Sequence, residues 1–190
     1  MSASEPLHPR KSVVLVGLMG AGKTRVGRQL ATRLGLDFVD ADAEIEAAAG
    51  CSITEIFDRY GERAFRDGER RVMRRLLDGP VRVLATGGGA FMDPTTRARV
   101  RERGISVWLR ADLETLLARV ARRNNRPLLA DRDHRTTLAA LIKERYPIYA
   151  EADIVVDSTD GPVRDTVDKV IAALESFLAA GTRDGARRRQ

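Results

Sequence analysis

The 190 residues, 43% apolar and 32% charged, allow one domain with a full-sized core, or a core plus a mobile flap. No run approaches the ~20 apolar residues of a membrane span, and the lone Cys51 excludes an internal disulfide, as expected of a reducing cytoplasm. The net charge of +6 raises nucleic acid as a partner, but aromatics are only 5%, no nucleic-acid module is recognisable, and anionic small molecules explain a positive cleft as well.

Residues Met1–Lys11 hold Pro6, His8 and Pro9 without an apolar segment, so a flexible lead-in is expected rather than a signal peptide. The apolar run Ser12–Val16 reads as a strand. It feeds Gly17-Leu18-Met19-Gly20-Ala21-Gly22-Lys23-Thr24 and an amphipathic helix, Lys23–Leu34, with Val26, Leu30 and Leu34 at four-residue spacing and Gly35 as its stop. Asp37–Asp40 reads as a second strand, and Ala41–Asp78 as a mainly helical insertion too long for one crossover. A third strand, Val81–Thr86, precedes a helix opened by proline at Pro94–Arg103. Ile105–Leu109 is a fourth strand, and Asp112 precedes a helix through Arg123. The polar segment 124–134 contains Pro127, lacks periodicity and reads as a lid. After a further helix ending near Pro147 come a fifth strand, Asp153–Asp157, and a helix, Pro162–Ala180, with Val163, Val167, Val170, Ile171, Leu174 and Phe177 on one face. The arginine-rich stretch 181–190 reads as a flexible basic tail. Continuously apolar strands alternating with helices specify a parallel sheet covered on both faces.

The sequence from Gly17 to Thr24 is G-x-x-x-x-G-K-T between a strand and a helix, the form of a phosphate cradle. Glycine tolerates positive φ and close approach, so backbone N–H groups can turn inward above a helix N-terminus. Gly20, Ala21, Gly22, Lys23, Thr24 and Arg25 form the expected nucleotide-binding set, with Lys23 on the outer phosphates and Thr24 on Mg²⁺. Asp40 and Asp42 share a side if the second strand continues, at the sheet edge where ligands bind. One carboxylate can serve Mg²⁺ through its water shell and the other can take a proton from an attacking hydroxyl. Asp42 equally suits the N-cap of the next helix. Gly87-Gly88-Gly89 after the third strand marks close approach of backbone, to a ligand or to a packed helix. Among many arginines, Arg66 with Glu69 one turn away, Arg126 before Pro127, and Arg145 before Pro147 have a context suited to anions. No His/Cys cluster has zinc spacing.

These motifs resemble shikimate kinase from about Ser12 to Leu178. The likeness is carried by Gly17–Thr24, Phe38-Val-Asp-Ala-Asp42, Ser52-Ile-Thr-Glu-Ile-Phe57, Phe65-Arg66 with Glu69, Ala85-Thr-Gly-Gly-Gly-Ala90, Arg126-Pro-Leu-Leu129 and Arg145-Tyr-Pro-Ile-Tyr149. The resemblance implies a three-layer α/β/α P-loop kinase fold, with a five-stranded parallel sheet, a helical substrate-binding insertion at 41–78 and a mobile lid at 124–134. It also implies phosphorylation of the shikimate 3-hydroxyl by ATP, with one Mg²⁺ per subunit, in a cytoplasmic monomer whose partners are small molecules. On that likeness Asp42 holds and deprotonates the hydroxyl, Arg66 and Arg145 clamp the substrate carboxylate, and Gly88 bonds a ring substituent through its backbone. Asp40 becomes the outer magnesium carboxylate with Thr24 the direct ligand, Arg126 the lid arginine, Arg119 the adenine-side arginine, and Glu69 the residue orienting Arg66. The segment Asp157-Ser-Thr-Asp160 lacks an arginine that some relatives place near adenine. A gluconate-type sugar-acid kinase and a non-catalytic nucleotide-binding protein are the competing readings. The Asp40/Asp42 pair and the glycine run speak against the first. The presence of Lys23, Asp42 and Arg126 speaks against the second.

Overall fold

A computed structural model describes residues 9–124 and 131–187, with side chains for 9–122 and 134–180. Five strands, β1 (Ser12–Val16), β2 (Asp37–Asp40), β3 (Arg82–Ala85), β4 (Gly104–Arg110) and β5 (Ile154–Asp157), pair in parallel in the order β2-β3-β1-β4-β5. Burial follows position in that order. Central β1 is buried at every residue and β4 at all but Arg110, as continuous apolarity requires of strands with both faces covered. The edge strands depart from this: β5 alternates buried and exposed residues, and β2 is only half-buried. The third strand is shorter than its apolar run. Thr86, beyond its end, still donates both its N–H (3.2 Å) and its Oγ1 (3.0 Å) to the Leu15 carbonyl.

Helices α1 (Lys23–Leu34), α2 (Ala41–Ala49), α3 (Ile53–Asp78), α4 (Pro94–Arg103), α5 (Leu113–Asn124), α6 (Asp131–Tyr149) and α7 (Val163–Arg187) flank the sheet. The insertion 41–78 resolves into two helices with physical punctuation. Asp40 caps α2, accepting from the Asp42 N–H at 3.1 Å, and Gly50 closes it at φ 69. A reciprocal pair then opens α3: Glu55 N–H donates to Ser52 Oγ and Ser52 N–H to Glu55 Oε2. Inside α3, Gly61 at φ 78 and ψ 172 breaks the helix into 53–60 and 62–78, a backbone pair essentially reserved for glycine. Of the expected lid, 125–130 lie outside the described residues, as do Arg126 and the lead-in 1–8, while 131–134 already belong to α6. Lys11, the last residue of the expected lead-in, is tied down, its Nζ donating to the Arg101 carbonyl at 3.2 Å.

The strand order reverses direction at β1, whose neighbours are β3 and β4. The crevice outside the carboxyl ends of those strands is the ligand position in sheets of this kind. The loops after β1, β2 and β3 all emerge there.

Candidate active site

The loop after β1 is shaped by glycines that no other residue replaces cheaply. Gly17 has φ 151, and a Cβ on it would lie 2.8 Å from the Leu109 carbonyl oxygen at the end of β4. Gly20 (φ 83) and Gly22 (φ 94), the latter capping α1, complete a left-handed turn that brings successive N–H groups to one side. The first turn of α1 carries no acidic residue, so nothing offsets its positive end. Within the loop, Ala21 N–H donates to the Leu18 carbonyl at 3.1 Å. Lys23 folds back over it, donating to the Gly17 and Leu18 carbonyls at 2.8 and 3.0 Å. Thr24 Oγ1 donates to Asp40 Oδ2 at 2.9 Å, and Arg25 stands exposed on α1.

Strand continuation does not bring the two carboxylates together, because β2 ends at Asp40. Instead Asp40 caps α2, and Asp42 lies in that helix's first turn. The cap is therefore Asp40 rather than Asp42, whose carboxyl is turned toward β3's loop. Burial raises the Asp42 pKa above its ordinary value. Asp40 pushes the same way and Lys23 opposes, while Glu69 and Glu46 add further repulsion.

The run Gly87–Gly89 shows what its missing side chains make room for. A Cβ at Gly87 would meet Asp42 Oδ1 at 2.5 Å, one at Gly88 would meet Arg145 Nη1 at 3.1 Å, and one at Gly89 would meet Arg66 Nη1 at 2.3 Å. The backbone is approached by side chains of the expected acceptor site projecting from α2, α3 and α6, with Glu69 Oε1 also 3.2 Å from a Cβ at Gly87. Arg66 is held there by buried Glu69, donating from Nη1 to Oε2 at 2.8 Å, and its guanidinium also lies 5.1 Å from the Phe65 ring centre. Burial draws the Arg66 pKa down, but the bonds to and charges of Glu69 and Glu62 together outweigh it and raise the pKa overall. Arg145 Nε is buried and has no partner among the described residues.

Arg119 binds the back of the same loop. It donates to the Gly20 carbonyl (3.1 Å), to Ser158 Oγ (3.0 Å) and to the Thr159 carbonyl, and Ser158 Oγ in turn donates to the Ala21 carbonyl at 3.0 Å. Burial lowers the Arg119 pKa. Two polar residues here escaped sequence reasoning. Ser158 gives no signal in a polar turn. Tyr149 does give one, being four residues after Arg145 and so on the same helix face.

A glycine cradle at the switch point, with a lysine, a hydroxyl and a carboxylate beside it and a second polar pocket one loop away, defines a P-loop phosphotransferase acting on a small acceptor. Comparison with known proteins narrows the class. A profile of shikimate kinase matches residues 19–175. The shikimate kinase of Paramagnetospirillum magneticum is 62% identical over 168 residues, 88% of this chain and 86% of that protein. That of Rhodopseudomonas palustris is 58% identical over 170 residues, 90% of this chain and 84% of that one. The solved structure of shikimate kinase from Acinetobacter baumannii in complex with shikimate matches with a TM-score of 0.80 at 41% identity, covering 87% of this chain and 93% of that one. The chain belongs to the shikimate kinase family.

Proposed function

We propose that this protein transfers the γ-phosphoryl group of ATP to the 3-hydroxyl of shikimate, giving shikimate 3-phosphate and ADP. The observation that carries the reading is the convergence of Asp42, Arg145 and Arg66 on three consecutive glycines beside the phosphate loop. A base and two guanidiniums around one small space suit a hydroxylated carboxylate.

Each role follows from position. The amides from Gly20 to Arg25 hold the phosphates, and Lys23 exchanges its two loop carbonyls for the β- and γ-oxygens. Arg66, braced by Glu69, and Arg145 grip the carboxylate; the unpartnered Nε of Arg145 is an N–H that such a ligand satisfies. The Gly88 N–H bonds a ring substituent. Asp42 accepts the hydroxyl proton as the substrate oxygen attacks the γ-phosphorus and the bond to the bridging oxygen of ADP breaks. Its raised pKa makes it a stronger base than a solvated aspartate. Arg119 serves the adenine side, and Arg126, outside the described residues, stabilises phosphoryl charge from the lid. The residues fit one Mg²⁺: Thr24 Oγ1 and Asp40 Oδ2 already lie 2.9 Å apart beside the loop, the first as direct ligand and the second through water. When bound, Mg²⁺ supplies charge neutralisation on the β- and γ-oxygens. The enzyme acts on small molecules as a cytoplasmic monomer. Surface arginines such as Arg70, Arg99, Arg122 and Arg135 are held in ion pairs with Asp67, Asp78, Asp160 and Glu114, which supports small-molecule partners over nucleic acid.

Coupled detection of ADP with shikimate, gluconate or nucleoside monophosphates as acceptor tests the reading. Release is expected only with shikimate. Preference for gluconate would overturn it.

A further inference from the structure

Tyr149 takes no part in the roles above, yet its hydroxyl sits at the joint of the acceptor pocket. It is fully buried in the last turn of α6, on the helix face of Arg145. Its ring is wedged among Trp108, Tyr146 and Phe91, with centroids 5.9, 6.2 and 6.5 Å away. The hydroxyl donates to the Gly88 carbonyl. The neighbouring glycine carbonyls have backbone partners, Gly87 accepting from Ala90 N–H (3.2 Å) and Gly89 from Met92 N–H (3.0 Å). The middle one is left to the tyrosine. A planar peptide joins the Gly88 carbonyl to the Gly89 N–H, so fixing that oxygen fixes the plane carrying both residues. Gly89 is the residue against which Arg66 lies, and Gly88 the one against Arg145. Burial raises the phenol pKa, and the charge of Arg145 and its side-chain hydrogen bond to the hydroxyl only partly offset this, so the hydroxyl stays a donor to Gly88 at neutral pH while also meeting Arg145 directly.

We propose that Tyr149 is a positioning residue of the acceptor site, its one hydroxyl clamping the Gly88–Gly89 peptide and so setting the spacing between Arg145 and Arg66. The proposal rests on the phosphotransfer reading above and adds a determinant of acceptor affinity. Tyr149→Phe keeps the ring and its packing while orphaning the Gly88 carbonyl. The KM for shikimate is expected to rise roughly 5- to 50-fold, with the KM for ATP and kcat within about twofold of wild type. On an Arg145→Ala background the same change should do less than it does alone, since the clamp it aligns is already broken. Trp108→Phe disturbs the ring's bed without touching the hydroxyl, and is expected to lower Tm while sparing the shikimate KM. An unchanged shikimate KM in Tyr149→Phe, an equal rise in both KM values, or an equal shikimate effect in Trp108→Phe would each overturn the proposal while leaving the kinase reading intact. Wild-type protein without shikimate-dependent ADP release would take both.

Discussion

Asp42 is held where its charge costs the fold and serves the reaction. Burial and the neighbouring Asp40 and Glu69 raise its pKa, so the folded protein binds that proton more tightly than the unfolded chain. The destabilisation is therefore absent below the unfolded pKa, grows as pH rises toward the folded pKa, and is complete above it. Asp42→Asn should raise Tm at pH 7 in metal-free buffer, with the gain shrinking as the pH is lowered into the carboxylate range. The same variant should lower kcat by about 10² or more, because a positioned base acts mainly in the transition state. A Tm gain that stays constant with pH would contradict the electrostatic account, and a near-normal kcat would remove Asp42 from proton transfer. Gly89→Ala tests the opposite face: its Cβ would intrude on the Arg66 guanidinium at 2.3 Å. The flexible arginine can move aside, so we expect a Tm within a few degrees of wild type but a clearly raised shikimate KM. Equal losses of ATP and shikimate affinity would show that the clash spreads beyond the clamp. The chemistry of these residues was legible in the sequence by type and spacing. Their mutual arrangement was not, because Asp42 reaches the site from a helix turn rather than from the strand, and because the glycines accommodate side chains more than fifteen residues distant in the chain.

Periodic apolarity places the elements, α1 at Lys23–Leu34 included, but it does not show where a tertiary contact fixes a residue against local preference. Gly27 is one such residue. It weakens helix α1 on propensity alone, yet a Cβ there would lie 2.5 Å from the Phe38 ring and 3.1 Å from Leu15. The glycine lets α1 close onto β2 and β1. Gly27→Ala should cost about 1–3 kcal/mol in urea unfolding, since a packed ring cannot yield as a surface side chain does. A stabilised variant would mean that helix propensity outweighs the contact. The helical insertion shows the limit from the other side. Its length marked it as more than one crossover, but the Gly61 break requires a backbone angle that helical periodicity does not reveal. Ser158 extends the ladder logic past β5: its N–H donates to the Arg110 carbonyl at 2.7 Å, and its hydroxyl ties Arg119 to the phosphate loop. Ser158→Ala should raise the KM for ATP several-fold more than that for shikimate. The reverse pattern would disconnect this turn from the nucleotide half.

At the scale of the whole molecule, the parallel sheet and its helical cover were implied by the alternation of elements, whereas the order β2-β3-β1-β4-β5 was not. Order depends on which crossovers skip a neighbour, and no local pattern records that. It matters because it puts the β1 loop between the loops after β3 and β4, so nucleotide and acceptor sites share one edge. Charge is the other whole-molecule property. The net +6 looks like an invitation to polyanions, but much of the arginine on the described surface is matched by acids, and four further arginines are concentrated at 181–190. Among the described side chains of α7, which run to residue 180, the last fully buried one is Leu174, and the family match stops at residue 175. Ending the chain after Ala180 should therefore leave kcat and both KM values within about twofold at physiological salt, with Tm little changed. At low ionic strength a modest loss of kcat/KM is expected, because Arg183, Arg187, Arg188 and Arg189 then cease to draw anionic substrates over a lengthened Debye distance. Raising the salt should erase the difference. A loss of turnover that persists at high salt would mean that the basic end acts through contact with the site and not through its field.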